Sequence, residues 1–323
     1  GKFIMAILQQ ILATFGTNIS GGVAAWVWKP TLNNMKITAA QSPGICVSDL
    51  SGNSIVVTNY GCAAVTSDGA NWTPDTSLVA TSWAFGTAQS WSLGIWANGN
   101  FIMGSTTGLI AMSPDGKNWT CSASLKATAW GAVGVKSIAW NGTVYCAVGD
   151  SGRCATSSDG VIWTSRAAGL LTAFGTTQNS KKVVCVGTSF VILMDNGKVA
   201  TSPDGITWTH RTHLALTSWG TYASNRVSMA TNGTRIVIAG QGSGTSRNAY
   251  SDDGGVSWSY QGGLNTVIGT NFIGENMVWS PARSEFVVIG ITSTSRCATS
   301  PDGINWTLRT GYTTVFSTAT TTT

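Results

Sequence analysis

Six aspartates recur along the chain, each beside a glycine and followed by a tryptophan. The pairs are Asp68 and Trp72, Asp115 and Trp119, Asp159 and Trp163, Asp204 and Trp208, Asp253 and Trp258, and Asp302 and Trp306. Carboxylates are potential metal ligands, and indole rings are potential stacking surfaces for sugars. An aspartate beside glycine also accepts hydrogen bonds from turn N–H groups, and recurrence in every repeat is what a repeating fold requires. We therefore interpret these residues as structural braces of turns, with no metal.

A second recurrence concerns basic residues six positions before the aspartate. The last four repeats have Arg153, Lys198, Arg247 and Arg296 at this position, and the first two have Cys62 and Leu109. If the repeats close into a ring, these bases line one side of a common face, which suits an acidic sugar or another anionic group. Arg211 and His213, expected in a connecting loop, and Tyr60 and Tyr312, expected to stack on sugar rings, complete the candidate ligand site. The alternative is a solvated rim that keeps the protein soluble.

The elements that position these residues follow from further recurrences. The aspartates are roughly 45 to 50 residues apart, a period typical of four-stranded propeller blades. Four positions before each aspartate lies an alanine, at Ala64, Ala111, Ala155, Ala200, Ala249 and Ala298. Fourteen or fifteen positions after it lies a large apolar residue, at Trp83, Trp130, Phe174, Trp219, Ile268 and Phe316. We expect the alanine where neighbouring blades approach closely and the large residue as a wedge between blades.

Turns that contain glycine divide each repeat into four strands. Asn98-Gly99, Asn141-Gly142 and Asn232-Gly233 lie between alternating apolar runs and predict two-residue hairpins, as does Ser51-Gly52 in the first repeat. A second turn follows, as at Ser151-Gly152, and the Asp-Gly turn is the third. Three turns make a four-stranded antiparallel sheet. Six such sheets in tandem without helices predict an all-β fold, a six-bladed β-propeller that protects its strand edges.

The predicted propeller occupies residues 36–311, between an attachment and closure segment (1–35) and a Thr-rich C-terminal segment (312–323). Phe3 to Phe15 predicts a short N-terminal helix with a wide apolar face, too short to span a bilayer. This helix either packs on its own propeller, attaches to a protein partner or a second copy, or anchors at a membrane surface. Trp26 to Pro30 and Trp306 to Arg309 both match an outer strand, which leaves the closure of the ring open.

The Asp-Gly turns resemble the Asp-box, or BNR repeat, of sialidase-like propellers, whose pattern is Ser/Thr-x-Asp-x-Gly-x-x-Trp. The resemblance covers about residues 40 to 310; only residues 251–258 match the full pattern, and the other turns are one residue shorter. It implies that each box joins the third and fourth strands of a blade, that its Asp caps the turn, and that its Trp packs beneath. It also implies that the ligand site lies on the opposite face of the propeller.

A sialidase-like active site would need an arginine triad, a tyrosine and glutamate nucleophile pair and an aspartate acid. The glutamates are Glu275 and Glu285, both in the last repeat, and no arginine precedes Arg153, so the triad cannot be drawn from early and late blades. Glycoside hydrolysis by one of these glutamates with an aspartate stays an alternative. The histidines, His210 and His213, lie near no Cys or carboxylate cluster in sequence and are expected in a solvated loop rather than a metal site.

The composition of the chain limits the classes of partner that it is expected to bind. The chain of 323 residues is 43% hydrophobic and 10% charged with a net charge of +5. Its longest basic run is Lys181-Lys182, which does not indicate nucleic-acid binding. Seven cysteines without regular spacing are expected as free, buried thiols.

These features predict a non-catalytic recognition module without a cofactor that binds a surface glycan or receptor. The chain resembles bacteriophage tail or fibre proteins in its low charge, its Thr-rich end and its apolar N-terminal helix, so we expect a virion or extracellular location. A protein partner would bind through the N-terminal segment, with homo-oligomerisation as a further option. The alternatives are a sialidase-like glycoside hydrolase and a structural virion scaffold without a ligand.

Overall fold

A computed structural model describes residues 43–49, 51–58, 63–68, 71–75, 78, 90–212, 227–242, 245–269, 273–281, 283–291 and 295–309. The predicted N-terminal helix, Trp26 to Pro30 and the Thr-rich C-terminal segment lie outside these residues. So do three of the six predicted wedge positions, Trp83, Trp219 and Phe316.

The described residues form a six-bladed β-propeller, as predicted. Its 24 strands make six four-stranded antiparallel sheets, and each sheet consists of strands that are consecutive in the chain. Blades 1 to 3 consist of β1 (Pro43–Ser48), β2 (Ser54–Thr58), β3 (Ala63–Thr66), β4 (Thr73–Asp75), β5 (Trp91–Ala97), β6 (Asn100–Ser105), β7 (Ile110–Ser113), β8 (Thr120–Ser122), β9 (Val135–Trp140), β10 (Tyr145–Gly149), β11 (Cys154–Ser157) and β12 (Thr164–Ser165).

Blades 4 to 6 follow in the same order. They consist of β13 (Ser180–Val186), β14 (Ser189–Met194), β15 (Val199–Ser202), β16 (Thr209–Arg211), β17 (Val227–Thr231), β18 (Ile236–Gly242), β19 (Thr245–Ser251), β20 (Ser259–Gln261), β21 (Ile273–Ser280), β22 (Glu285–Ile291), β23 (Ser295–Ser300) and β24 (Thr307–Leu308). The first strands of consecutive blades contact one another from blade 1 to blade 6. The sixth blade contains its own fourth strand, β24, next to β23.

The first turn of each blade follows the prediction only in part. Asn98 and Gly99 both have positive φ (49° and 72°), and Ala97 pairs directly with Asn100, so this turn is a two-residue hairpin. The turns at residues 141–144 and 232–235 each contain four residues, contrary to the prediction. The reason is local: the Oδ1 atom of Asn141 accepts hydrogen bonds from the N–H groups of Thr143 and Val144, which stabilises the wider loop.

The connections between blades contain short helices, which the sequence interpretation did not include. They are a π-helical turn (Lys126–Trp130), α1 (Ala167–Phe174) and α2 (Gly263–Ile268). Each ends at a predicted wedge residue, and Trp130, Phe174 and Ile268 are buried between the blades before and after them. The wedge prediction is therefore confirmed at these positions. Each helix places one more apolar side chain in the same gap, Leu125, Leu170 or Leu264.

The recurrent alanines are all fully buried in the third strand of their blades. Ala155 packs against Ile102 and Ile110 of the preceding blade, and Ala200 packs against the preceding blade in the same way. A larger side chain here would push two blades apart, which explains why the position is always alanine.

In every Asp-Gly turn, a Ser or Thr hydroxyl donates to the aspartate two residues later, and in blades 2 to 5 the tryptophan also bonds to the glycine carbonyl. In blade 4, the hydroxyl of Ser202 donates to Asp204 Oδ1 (2.9 Å) and accepts from the N–H of Gly205 (2.8 Å). The same carboxylate oxygen accepts the N–H groups of Ile206 and Thr207. The indole N–H of Trp208 donates to the carbonyl of Gly205 (3.3 Å). One oxygen of this carboxylate thus accepts three hydrogen bonds from its own turn.

Blade 5, which has one more residue in this turn, makes equivalent bonds. Asp253 accepts the N–H groups of Val256 and Ser257, and Gly255 takes the place of the glycine that directly follows Asp elsewhere. The additional residue is Gly254, which has φ of 72°. The longer and shorter forms of the motif therefore build one kind of turn.

In blades 2 to 6, the glycine of the Asp-Gly turn lies against side chains of the preceding blade. A Cβ atom on it would lie 2.3 Å from Val237 Cγ2 at Gly303 and 2.8 Å from Thr156 Cγ2 at Gly205. Two side-chain bonds hold the same junction: Asn248 Nδ2 donates to the carbonyl of Gly303, and Arg235 Nη1 donates to the carbonyl of Asp302. First turns and Asp-Gly turns therefore lie on one face of the propeller, which we call the Asp-Gly face.

Gly303→Ala is expected to lower the free energy of unfolding by about 2 to 5 kcal/mol, because it combines left-handed backbone with a clash against a stiff β-branched side chain. Gly233→Ala is the matched control. Gly233 also has positive φ, but nothing lies within 4 Å of its Cβ position, so the cost should be only about 1 to 2 kcal/mol. Denaturant unfolding measures both, and equal losses would contradict the close-approach explanation.

The Asp-Gly turns also predict acid sensitivity. Burial alone would raise the pKa of Asp302, but hydrogen bonds from Asn305, Ile304 and Ser300 outweigh it and lower the pKa to about 2. The unfolded value is about 3.9, so this stabilisation is complete above that pH and is lost as the pH falls toward about 2. Stability measured by denaturant from pH 5 to pH 2 should fall less steeply for Asp302→Asn than for the native chain. An unchanged slope would contradict the assignment.

Candidate functional site

An open groove lies on the face opposite the Asp-Gly turns, between blades 3 and 4. Its volume is about 320 Å³. One wall is apolar and consists mainly of Leu170, Leu171, Phe174 and Met194. The other wall is polar and includes Ser151, Arg153, Thr176, Thr177 and Gln178. None of the residues that line the groove is acidic.

The groove is formed where the second turn of blade 3 meets the connection to blade 4. Ser151 and Gly152 both have positive φ, which turns the chain sharply between β10 and β11. The N–H of Gly152 donates to the carbonyl of Gln178 (2.6 Å), and the N–H of Ser151 donates to the side chain of Asn179 (2.9 Å). Helix α1 ends at Gly175 in left-handed backbone, which lets the chain run from the helix past this turn.

Arg153 has an unusual environment in this groove. Its Nε atom is buried and has no hydrogen-bond partner among the described residues. The nearby acidic residue Asp150 is engaged elsewhere, since its carboxylate lies 3.1 Å from the ammonium of Lys136. A guanidinium nitrogen removed from water without an acceptor is costly. Since no acidic residue lines the groove, the positive charge of Arg153 favours an anionic ligand there.

The four predicted bases do not form one cluster of free charges. All lie at the same end of the third strand of their blades, as predicted from their register, but each has its own surroundings. Arg296 Nη1 donates to the carbonyl of Ile268 (2.8 Å) at the end of helix α2. The guanidinium of Arg247 lies over the ring of Tyr260, 5.6 Å from its centroid. Lys198 lies near His210 at the junction of blades 3 and 4.

Arg211 differs from its predicted position. It is the last residue of strand β16 rather than part of a loop, and its Nε donates to Thr201 Oγ1 (2.8 Å) on the neighbouring strand. Arg166 and Arg309 make the same bond to Thr156 and Thr299. The bond is therefore a repeated brace between the third and fourth strands. The sequence contains a signal that could have predicted this bond. Each of these arginines lies three positions after the tryptophan of its repeat, and the same repeats have a threonine three positions before the aspartate.

His210 also lies in strand β16, contrary to the solvated loop expected from sequence. Its ring packs on Phe174 with 4.9 Å between centroids, directly behind the apolar wall of the groove. Burial, followed by the charge of Lys198, holds the pKa of His210 below its usual value. The remaining candidates, His213, Tyr60 and Tyr312, lie outside the described residues.

Glu285 is bound in an ion-pair network away from the groove. Its carboxylate lies 3.0 Å from Arg309 Nη2 and 3.3 Å from Arg283 Nε. It is the first residue of β22, next to the first turn of blade 6, and so lies on the Asp-Gly face. For Glu275, which lies in β21, only the backbone is described.

Other possible sites are limited within the described residues. No group of three or more His, Cys, Asp or Glu side chains is arranged to hold a metal ion there. Among the cysteines whose side chains are described, those at positions 121, 146, 154, 185 and 297 are free. No helix in the described ranges is long and apolar enough to cross a membrane.

No protein-family model and no curated protein sequence matches the chain. Solved structures do match its fold. A structure of YCF48 bound to D1 peptide has a TM-score of 0.53 and 16% identity, over 77% of this chain and 76% of that one. YCF48 from Cyanidioschyzon merolae has a TM-score of 0.56 and 13% identity, over 86% and 88%.

An ancestral GH74 enzyme has a TM-score of 0.56 and 12% identity, over 88% of this chain and 40% of the enzyme. At such identities the likeness extends to the propeller fold alone, because unrelated functions share this architecture.

The environment of His210 gives a prediction that NMR can check. In the native protein, the imidazole should titrate below its usual pKa of about 6.5. Lys198→Gln should raise the pKa but leave it below that value, since burial is the larger cause. Lys126→Gln, at the junction of blades 2 and 3, is the charge-matched control and should leave the titration unchanged. A pKa that did not respond to Lys198→Gln would contradict the proximity of the two groups.

Proposed function

We propose that the chain is a non-catalytic recognition propeller that binds a surface glycan or receptor through the face opposite the Asp-Gly turns. The observation that carries this proposal is the groove between blades 3 and 4, whose lining combines apolar side chains with the positive charge of Arg153 and contains no acidic residue. A groove that combines apolar lining with one strongly oriented polar group is typical of binding sites. The net charge of +5 favours an anionic ligand.

The contacts of the recurrent residues support different roles for the two faces, one structural and one in ligand binding. On the Asp-Gly face, side chains such as Asp204, Trp208 and Arg235 bond to their own turn or to the next blade, which suits a scaffold. The hydrogen bonds of these turns also support the resemblance to the Asp-box. The opposite face has irregular connections and unequal side chains from blade to blade, which suits a site for one ligand.

A glycoside hydrolase is the less favoured alternative. Glu285 is held between two arginines on the face away from the groove, where its charge is compensated. The structural neighbours include both an enzyme and a propeller bound to a peptide, so the fold is compatible with either role.

We further propose that the propeller belongs to a phage tail or another extracellular surface assembly. The low charged fraction of 10% and the Thr-rich C-terminal segment support this location. In this proposal the apolar face of Phe3 to Phe15 attaches the propeller to its assembly, to a protein partner or to a second copy of the chain.

Two assays test the recognition role. The purified protein should bind glycans on an array or intact bacterial cells, and Arg153→Glu should weaken that binding at least tenfold, because it reverses the charge in the groove. Lys117→Glu, an equal charge change on the Asp-Gly face, is the control and should leave the binding intact. Fluorogenic glycosides should not be hydrolysed. Turnover abolished by Glu275→Gln would overturn the non-catalytic proposal, and absence of binding to glycans and cells would favour a scaffold.

A further inference from the structure

The size of the groove limits what it can hold. Its volume of about 320 Å³ is at the lower end of the range for small-molecule sites, about 300 to 1,000 Å³. Such a volume accommodates one anchoring side chain and its flanking atoms rather than several sugar rings. The ligand therefore presents a compact group to the groove.

The apolar wall favours an aliphatic or aromatic side chain as that group. Leu170 and Phe174 form its buried back, at 2% and 9% exposure, and Leu171 stands at the rim with 48% of its surface exposed. The Phe174 ring is covered by His210 on one side, which leaves little of its face for stacking on a sugar. The exposed Leu171 and the apolar recess beside it offer apolar surface that a ligand side chain can bury.

Arg153 adds a requirement for negative charge next to the apolar group. No carboxylate lines the groove, and the Nε of Arg153 is buried without an acceptor. The Nε is covered by protein and out of reach of a ligand, so a carboxylate in the groove would pair with the terminal nitrogens of this half-buried guanidinium in a charge-assisted hydrogen bond.

The opposite wall suits an extended chain. Residues 176–179 run from the helix to β13 without regular structure. Thr176 and Thr177 are exposed along the groove, and Gln178 is half-buried. The run is held in place by the bond from the N–H of Gly152 to the carbonyl of Gln178. A neighbouring extended segment would lie along this edge with its side chain directed into the recess.

We infer that the occupant of the groove is a segment of a partner polypeptide in which an apolar side chain is adjacent to an acidic residue. The apolar side chain enters between Leu170, Leu171 and Phe174, and the carboxylate pairs with Arg153. This inference rests on the proposed recognition function. Of the two ligand classes proposed there, a surface glycan and a receptor, it selects a protein receptor.

Short peptides test the inference directly. The probes are acetylated hexapeptide amides of sequence Gly-Ser-Leu-Glu-Ser-Gly and its Leu-Gln, Leu-Lys and Ser-Glu counterparts, titrated into the ¹⁵N-labelled full chain. NMR measures weak affinities and also locates the site. The Leu-Glu peptide should shift the amide signals of residues 151–153 and 167–178. It should bind about tenfold more tightly than the Leu-Gln peptide, as expected for a charge-assisted hydrogen bond.

Two variants test the need for the acidic residue and the need for the apolar side chain separately. Arg153→Gln should abolish the preference for Glu over Gln, and Leu171→Ser should weaken the preference for Leu over Ser several-fold. Leu171 is a rim residue, so its substitution should leave the thermal midpoint within a few degrees of the native value. Lys117→Gln is the matched control on the Asp-Gly face and should bind all peptides like the native chain.

The outcomes distinguish this inference from the function on which it rests. Shifts outside the groove, or equal affinity for the Leu-Glu and Leu-Gln peptides, would overturn the inference. If sialyllactose shifted the groove signals and the peptides did not, the occupant would be a glycan and the recognition role would stand. Binding to cells that persisted after removal of surface proteins by protease would likewise overturn the protein-receptor inference but not the recognition function.

Discussion

From blade 2 to blade 6, each blade contacts the preceding one through the glycine of its Asp-Gly turn, and the rest of the described structure depends on that contact. The Asp-Gly turn presents left-handed backbone without a Cβ, and the side chains of the preceding blade occupy the space where a Cβ would be. The carboxylate of the turn holds this shape by accepting several N–H groups, and the tryptophan closes it from beneath. Because this turn recurs from blade to blade, its small contribution to stability is repeated around the ring.

This constraint separates the two faces of the propeller. On the Asp-Gly face, polar groups satisfy one another: Arg235 pairs with Asp252 and reaches the next blade, and Glu285 lies between two arginines. On the opposite face, the connections have different lengths and contents. Helix α1, with its left-handed end at Gly175, opens a groove at one junction. A repeated scaffold thus leaves one face free to vary.

The wedge residues illustrate how local sequence and tertiary packing combine. Trp130, Phe174 and Ile268 occur at one distance from the aspartate, so their common role could be predicted. The helical conformation of the segments that end at these residues could not be predicted, because segments of five to eight residues have weak helical preference of their own. Burial of one end of each segment between two blades decides their conformation.

The number of blades, their strand count and the positions of the buried alanines and wedges follow from the sequence, because these features recur and a common fold must explain all of them. The face on which the second turns lie also follows from the strand order. The surroundings of individual bases do not. Arg153, Lys198, Arg247 and Arg296 share a register, yet only Arg153 combines a buried unpartnered nitrogen with an apolar groove, while Arg296 binds a helix end. Arg211, assigned to a loop from sequence, extends along its sheet to Thr201. Such outcomes depend on contacts between residues far apart in the chain, which exist only once the blades are packed side by side.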